Sequence, residues 1–223
     1  MISTHQVLSL LGFALSSIFL YRFSSFENKQ QGIAYIFSLL LIGNVSSLFF
    51  GLLSNWFYSN CLALGERFWG TLLVGTFLLP FLLKNKPNFE QNYTATLLSV
   101  SIGMLFIKLG CAISHPGCYG KASTMPWAML INGQYVHPIP IYDFLFQGIL
   151  LLVLTYFFLR KPTIRIGIAW LFFTCVFDFW IDYLRSYERY IMGSSLSQLA
   201  YLTIILLHIP LAIRKCKFSS ETA

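Results

Sequence analysis

The chain of 223 residues is 57% hydrophobic and 10% charged, whereas a soluble domain typically carries about 25% charged residues. This composition excludes an ordinary soluble protein and predicts a membrane protein. The formal net charge of +7 does not indicate a nucleic-acid partner, because the Lys and Arg residues lie in short connections between apolar segments.

Apolar segments recur along the whole sequence, and each is about long enough to cross 30 Å of hydrocarbon. They are predicted at residues 6–21, 32–53, 68–83, 94–113, 141–159, 165–184 and 197–213. The first is interpreted as a retained anchor, because MISTHQ lacks the basic region of a secretory signal peptide. The sequence therefore predicts an all-α, polytopic membrane protein with seven transmembrane helices, in one transmembrane domain over residues 1–223.

The basic residues predict the orientation of these segments, since cytoplasmic connections are enriched in Lys and Arg. With the N-terminus outside and the C-terminus in the cytoplasm, the cytoplasmic side receives Arg22, Lys29, Lys84, Lys86, Arg160, Lys161, Arg165, Arg214, Lys215 and Lys217. The same orientation places the long loop at 108–143 on the outer face.

This loop reads KLGCAISHPGCYGKASTMPWAMLINGQYVHPIPIYD and concentrates the polar and conformationally special residues of the chain. His115 and His137 are candidate general bases, because imidazole titrates near neutral pH. His137 precedes a Pro and lies about one turn from Tyr142 and Asp143. The alternative is that either His serves only as a hydrogen-bonding loop residue.

Charged residues within apolar segments are costly, by about 2.5–3.5 kcal/mol each, so they indicate function. Lys108 lies near the outer end of the fourth segment, and the spacing of Asp178, Asp182 and Arg185 predicts one shared helix face in the sixth. One interpretation is a polar cavity at the outer leaflet in which Lys108 and Arg185 bind a phosphate. The other is a structural clamp, in which Asp182 pairs with Arg185 or Lys108 and Lys108 extends to the interface.

The cysteines do not form a metal-binding pattern, since no CxxC spacing occurs among the five. We predict no metal site. Cys111 and Cys118, seven positions apart, are compatible with a disulfide on an oxidising face, with a reactive thiolate, or with apolar packing. Gly120 belongs to a glycine-rich turn that allows close approach of the backbone to a ligand.

The segments KLGCAISHPGCYGK, PWAM and HPIPIYDFLFQGILLLVL occur in this order, and together they resemble the prolipoprotein diacylglyceryl transferase family. The resemblance is specific over 108–150 and extends to the seven-helix plan. It implies transfer of diacylglycerol from phosphatidylglycerol to the lipobox cysteine thiol of a prolipoprotein signal peptide. It also implies a multi-pass protein in the lipid bilayer of the bacterial plasma membrane, with its site on the outer face, and no cofactor.

The residues and the resemblance together define a candidate site. Candidate catalytic residues are His137, Asp182, Tyr142 and His115. Candidate substrate-binding residues are Lys108, Cys111, Gly120, Asp143, Arg185 and His5.

This sequence departs from the family pattern at three positions. Trp69 stands where the family has a His in the third segment, His5 stands where it has a Tyr, and Asp178 stands where it has an Arg. These departures leave two alternatives open. One is a related lipid or headgroup transferase with another acceptor, in which His5 or His115 acts as the base. The other is a non-catalytic lipid-binding or assembly protein on the same scaffold.

Overall fold

A computed structural model describes residues 3–57, 64–84, 86–114, 118–185 and 195–220, with 50–57, 64–69, 196 and 211–220 described as backbone only. The helices are α1 (Thr4–Phe23), α2 (Lys29–Phe57), α3 (Leu64–Leu83), α4 (Phe89–Ser114), α5 (Ile139–Arg160), α6 (Ile164–Ile181) and α7 (Leu196–Ser220). Each apolar segment of the sequence corresponds to one of them. The all-α class is confirmed.

Five of the helices, namely α1, α2, α4, α5 and α6, are long and apolar enough to cross a membrane. The parts of α3 and α7 with described side chains, Gly70–Leu83 and Ser197–Pro210, are shorter apolar stretches. A membrane protein with several helices capable of spanning the bilayer is therefore confirmed.

Helix α4 lies at the centre of the fold, in contact with α1, α3, α5 and α6. Every residue from 92 to 99 on this helix is buried. Helix α1 approaches α4 closely because it has a glycine at the crossing: a Cβ on Gly12 would lie 2.5 Å from Phe106 Cβ. Small residues commonly allow such close packing between membrane helices.

A short β-hairpin that the sequence analysis did not predict precedes α5. Strand β1 (Met129–Ile131) pairs antiparallel with β2 (Gln134–Val136), with Ile131 opposite Gln134. The two turn residues between the strands, Asn132 and Gly133, have φ angles of 50° and 81°. Asn-Gly is a favoured pair for this left-handed two-residue turn. The hairpin leads directly into His137 and the start of α5.

The sequence predicted one continuous helix over 165–184, but the α-helix ends before residue 184. Helix α6 ends at Ile181, and the chain continues as a 3₁₀ turn over Asp182–Leu184 before Arg185 becomes extended. The tighter turn directs the Asp182 carboxylate toward the start of α7, where it has hydrogen-bond partners. Asp182 and Arg185 therefore lie beyond the α-helix on which the sequence placed them.

Candidate active site

Asp143, in the second turn of α5, is the centre of a buried ion network. Its side chain is 1% exposed, and its Oδ2 accepts hydrogen bonds from Lys108 Nζ on α4 and from Arg185 Nη2, the latter at 3.1 Å. A carboxylate buried this deeply requires a close cationic partner to offset the lost hydration. The two cations are 16% and 14% exposed, so they remain accessible at the rim of the network.

Asp182 connects this network to α7. Its Oδ2 accepts hydrogen bonds from Ser195 Oγ and, at 2.8 Å, from Ser197 Oγ, while Arg185 Nε lies 3.4 Å from its Oδ1. The pairing of Asp182 with Arg185 that the clamp interpretation predicted is thus present, whereas Lys108 pairs with Asp143 and does not only extend to the interface. Asp182 therefore holds the guanidinium of Arg185 at Nε, while Asp143 holds it at Nη2.

Ser195 is a site residue that the sequence analysis missed. It lies just before α7, and its hydroxyl contacts both Asp182 and, at 2.8 Å, Ser197 Oγ. The only signal available in the sequence was the pair of serines preceding an apolar segment, a pattern more typical of a helix N-terminus.

Asp178 lies one turn before Asp182 on α6 and is 3% exposed. Its carboxyl group is close enough to interact electrostatically with Asp143, Lys108, Arg185 and Asp182. This carboxyl group makes no hydrogen bond or ion pair to any residue that the structure describes, while the Asp178 backbone carbonyl accepts a hydrogen bond from Asp182 N–H. The predicted shared helix face is therefore wrong for Asp182 and Arg185, because α6 ends at Ile181, but the three charged groups still lie close enough to interact.

His137 and Tyr142 form a second group at the start of α5. Tyr142 Oη lies 3.5 Å from His137 Nδ1 and accepts a 2.7 Å hydrogen bond from Trp127 Nε1. The backbone of His137 is fixed by hydrogen bonds in both directions, from its N–H to Lys121 O and from Gly120 N–H to its carbonyl. The imidazole is half-buried in a rigid loop, and Tyr142 is the immediate neighbour of Asp143.

Gly120 lies where three segments meet. A Cβ at this position would be 2.5 Å from Leu184 O, 2.9 Å from Ile139 Cγ1 and 3.0 Å from His137 Cβ. Because the nearest atom is a backbone oxygen, it cannot move aside as a flexible side chain would. The structure therefore requires glycine here, to let the loop pack between α5 and the turn after α6.

We expect Gly120→Ala to lower the free energy of unfolding by about 1–3 kcal/mol, since overpacking shifts the backbone. The matched control is Gly148→Ala on α5, where the added Cβ has its nearest contact at 3.7 Å from Leu105 Cδ2. Thermal unfolding of the two variants in detergent measures the difference. Equal melting temperatures for the two variants would show that the contact with Leu184 is not tight.

His5, Cys111 and Cys118 lie beside the ion network. Cys111 Sγ is 3.6 Å from His5 Nε2, and both cysteines are free thiols. The Cys118 thiol has its pKa lowered to about 7 by a hydrogen bond with Cys111 and by the nearby charges of Lys108 and Arg185. Of the three interpretations from the sequence, the structure favours an ionisable thiol at Cys118 and a packed thiol at Cys111. His115 lies outside the described residues.

We expect Cys118 to be alkylated by iodoacetamide with a half-maximal rate near pH 7, because its pKa is about 7 and the thiolate is the reacting form. Mass spectrometry of a variant carrying Cys61→Ser and Cys216→Ser would measure the rate against pH. Lys108→Met removes a positive charge and should move the curve to higher pH. The prediction would be contradicted if, with Lys108 intact, the midpoint of the rate curve for Cys118 lay at or above the ordinary thiol pKa of about 8.5.

An apolar cleft of about 370 Å³ lies elsewhere, between α6 and α7. Its polar lining residues are Arg165 and His208, and none of the residues of the ion network line it. Because the chemically reactive groups are concentrated around Asp143, we take the ion network and not this cleft as the candidate active site.

Similarity to known proteins extends over most of the chain. A family model described as prolipoprotein diacylglyceryl transferase matches residues 1–214. The chain is similar to a phosphatidylglycerol–prolipoprotein diacylglyceryl transferase of Finegoldia magna, with 30% identity over 126 residues, 53% of this chain and 51% of the relative. A relative of the same name from Pseudomonas aeruginosa is 36% identical over 91 residues, 39% of this chain and 34% of the relative. One from Campylobacter hominis is 24% identical over 153 residues, 66% and 54% respectively. The chain thus spans between about a third and about half the length of the curated relatives it matches.

Proposed function

Because the chain belongs to the prolipoprotein diacylglyceryl transferase family, we propose that it transfers the diacylglyceryl group of phosphatidylglycerol to a cysteine thiol. The acceptor is the lipobox cysteine of a prolipoprotein signal peptide. The observation that carries the proposal is the buried network in which Lys108 and Arg185 share the Asp143 carboxylate. This network holds two cations side by side, as a reaction with a phosphate leaving group requires.

The proposal includes a topology of seven transmembrane helices with the N-terminus outside and the C-terminus in the cytoplasm. It is supported by the exposed basic residues Arg160, Lys161 and Arg165 in the connection between α5 and α6, which suit a cytoplasmic position. In this orientation the ion network and the hairpin lie on the outer face of the bacterial plasma membrane. That is the face on which a secreted precursor is available.

The reaction is a substitution at the lipid glycerol carbon that carries the phosphate. In our proposal His137 removes the proton from the acceptor thiol, and the sulfur forms a bond to that carbon. The bond from the carbon to the phosphate oxygen breaks, so glycerol phosphate leaves with the bonding electrons. Tyr142 contacts the imidazole at Nδ1, which leaves Nε2 as the atom that accepts the proton.

Lys108 and Arg185 act on the leaving group. As the carbon–oxygen bond breaks, negative charge develops on the phosphate, and two fixed cations stabilise that charge without reorganising. Asp143 sets the distance between them, and Asp182 positions Arg185 through its contact with Nε. Cys111, Gly120 and His5 shape the wall next to Lys108 in this proposal.

A transfer assay tests the proposed function directly. The purified protein in phosphatidylglycerol-containing micelles receives a lipobox peptide with a free cysteine, and mass spectrometry follows the peptide. We expect a mass increase of one diacylglyceryl group, which Lys108→Ala should abolish. Lys161→Ala, which removes an exposed lysine in the α5–α6 connection, serves as the matched control and should retain transfer.

Absence of the mass increase, with a folded protein and an active family enzyme assayed alongside, would overturn the proposal. Lipid or peptide binding without turnover would then favour the non-catalytic lipid-binding or assembly role. Transfer to a different thiol or hydroxyl acceptor would favour the related transferase instead.

A further inference from the structure

The cleft between α6 and α7 has no part in the proposed reaction, yet it has the character of a ligand site. Its volume of about 370 Å³ lies within the range typical of small-molecule pockets. Eight of its ten lining residues are apolar. This size and lining indicate a narrow apolar ligand and not a partner protein, whose interface would bury about 800 Å² on each side.

The cleft has the depth of one membrane leaflet. Along α6 its lining residues run from Arg165 to Phe173, and eight residues of α-helix rise about 12 Å. One leaflet contributes half of the hydrocarbon core, about 15 Å. Phe172 and Phe173, which line the cleft, also lie on the exposed surface of this helix. The cleft is therefore open to the bilayer over nearly the length of one acyl chain.

Arg165 places a positive charge at one end of this cleft. It lies in the first turn of α6, is exposed, and makes no ion pair with any residue that the structure describes. The carboxylate of Glu90 also reaches this end of α6, where it accepts a hydrogen bond from Ile164 N–H. A guanidinium group matches the geometry of a phosphate, with which it forms paired hydrogen bonds.

His208 is the other polar residue of the lining. It is 5% exposed, and its Nδ1 lies 2.8 Å from the carbonyl oxygen of Ile204 on the same helix. Because that ring nitrogen is already engaged and the imidazole is buried, the charged contact that the cleft offers to a headgroup is Arg165.

The cleft lies toward the end of α6 that is remote from the ion network. Asp178 follows Arg165 by thirteen positions, about 20 Å along the helix, and Arg185 lies beyond it. None of the residues of the network line the cleft. A phosphate beside Arg165 is therefore a different phosphate from the one that Lys108 and Arg185 hold in the proposed reaction.

We propose that the cleft binds a second phospholipid, drawn from the leaflet at the Arg165 end of α6. One acyl chain lies between α6 and α7, and the phosphate lies against Arg165. In the proposed orientation this is the cytoplasmic leaflet, whereas the ion network lies toward the outer one. The lipid takes no part in the transfer, so the site goes beyond the proposed function.

Both parts of the phospholipid are needed for recognition. Diacylglycerol supplies the chain without the charge, and glycerol phosphate supplies the charge without the chain. The bound lipid holds α7 against α6. Since α7 also carries Ser197, which donates a hydrogen bond to Asp182, this lipid supports the helix pair that ends in the ion network.

Native mass spectrometry of the whole protein in detergent, with phosphatidylglycerol added, counts the phospholipids that stay bound. We expect Arg165→Gln to weaken the retention of one phospholipid about tenfold, as the loss of one charged hydrogen bond implies. Lys161→Gln is the matched control and should leave retention unchanged, because it removes an exposed charge of the same connection that does not line the cleft. Diacylglycerol and glycerol phosphate, each added alone, should not be retained.

A second pair of variants tests the apolar part of the site. Ala169→Phe adds a ring to the lining of the cleft and should displace the lipid that depends on Arg165. Ala34→Phe makes the same change at an exposed position of α2 and should not displace it.

Three results would overturn the second site. Equal weakening by Arg165→Gln and Lys161→Gln would show a general effect of surface charge. Retention of diacylglycerol as strong as that of phosphatidylglycerol would show that the phosphate is not recognised. Loss of one and the same lipid in Lys108→Ala and in Arg165→Gln would show that the cleft holds the tails of the lipid bound at the ion network.

The transfer assay separates this proposal from the proposed function. Transfer by a protein that retains no lipid dependent on Arg165 leaves the proposed function standing and refutes the second site. A lipid that depends on Arg165, in a folded protein that transfers nothing, supports the second site and refutes the proposed function.

Discussion

Replacing Asp143 with Ala is expected to abolish detectable transfer and to lower the free energy of unfolding by about 3–5 kcal/mol, because it leaves two cations without their shared partner. Lys108 and Arg185 come from different segments, and the Asp143 carboxylate is the contact that holds both. Without it they repel each other within the protein. Thermal unfolding in detergent and the peptide transfer assay measure the two losses.

Asp143→Asn is the informative companion, since it keeps the size of the side chain and one oxygen acceptor while removing the charge. We expect it to fold better than the Ala variant but to remain impaired in transfer. A fully active Asn variant would mean that the network needs only a hydrogen-bond acceptor at this position. It would also mean that the charge of Asp143 does not set the separation of the two cations.

Replacing His137 with Gln should lower kcat by about 10²- to 10⁴-fold, the usual contribution of a general base. The variant must rely on acceptor thiol that has already ionised, and a free thiol has a pKa of about 8.5. Its rate should therefore rise about tenfold per pH unit below that value, more steeply than the wild-type rate. Transfer rates measured between pH 6 and 9 give this comparison.

Added imidazole should partly restore the His137→Gln variant, because it supplies a base without changing the fold. Tyr142→Phe should lose less activity, since it removes only the hydroxyl that orients the ring and accepts from Trp127. A Gln variant with wild-type rate and pH dependence would assign His137 a structural role and move the search for the base to His5 or His115.

The helices were the most predictable part of the structure. A helix that crosses the hydrocarbon of a membrane must be long and apolar, and such segments are visible in the sequence. The predicted segment at 141–159, for example, lies within α5 at Ile139–Arg160. The end of α6 was less predictable. Apolar content does not distinguish an α-helix from a 3₁₀ turn, and the choice at Asp182 depends on partners from α7.

The pairing within the site was hardly predictable, because it joins residues distant in sequence. Helix spacing grouped Asp178, Asp182 and Arg185, since such residues share one face. Nothing in that spacing relates Lys108 to Asp143, which lies 35 positions later. The hairpin was missed for a different reason: Asn132 and Gly133 carried the turn signal, but each strand is only three residues long.

The shared carboxylate also has a consequence for how the protein is made. Lys108 emerges from the ribosome with α4, before Asp143 has been synthesised, so its charge has no partner while α4 enters the bilayer. An isolated charge of this kind costs about 2.5–3.5 kcal/mol on insertion. The arrival of α5 compensates Lys108, and that of Arg185 completes the network. Biogenesis of this protein therefore favours retention of α4 beside the insertion machinery until α5 has followed it.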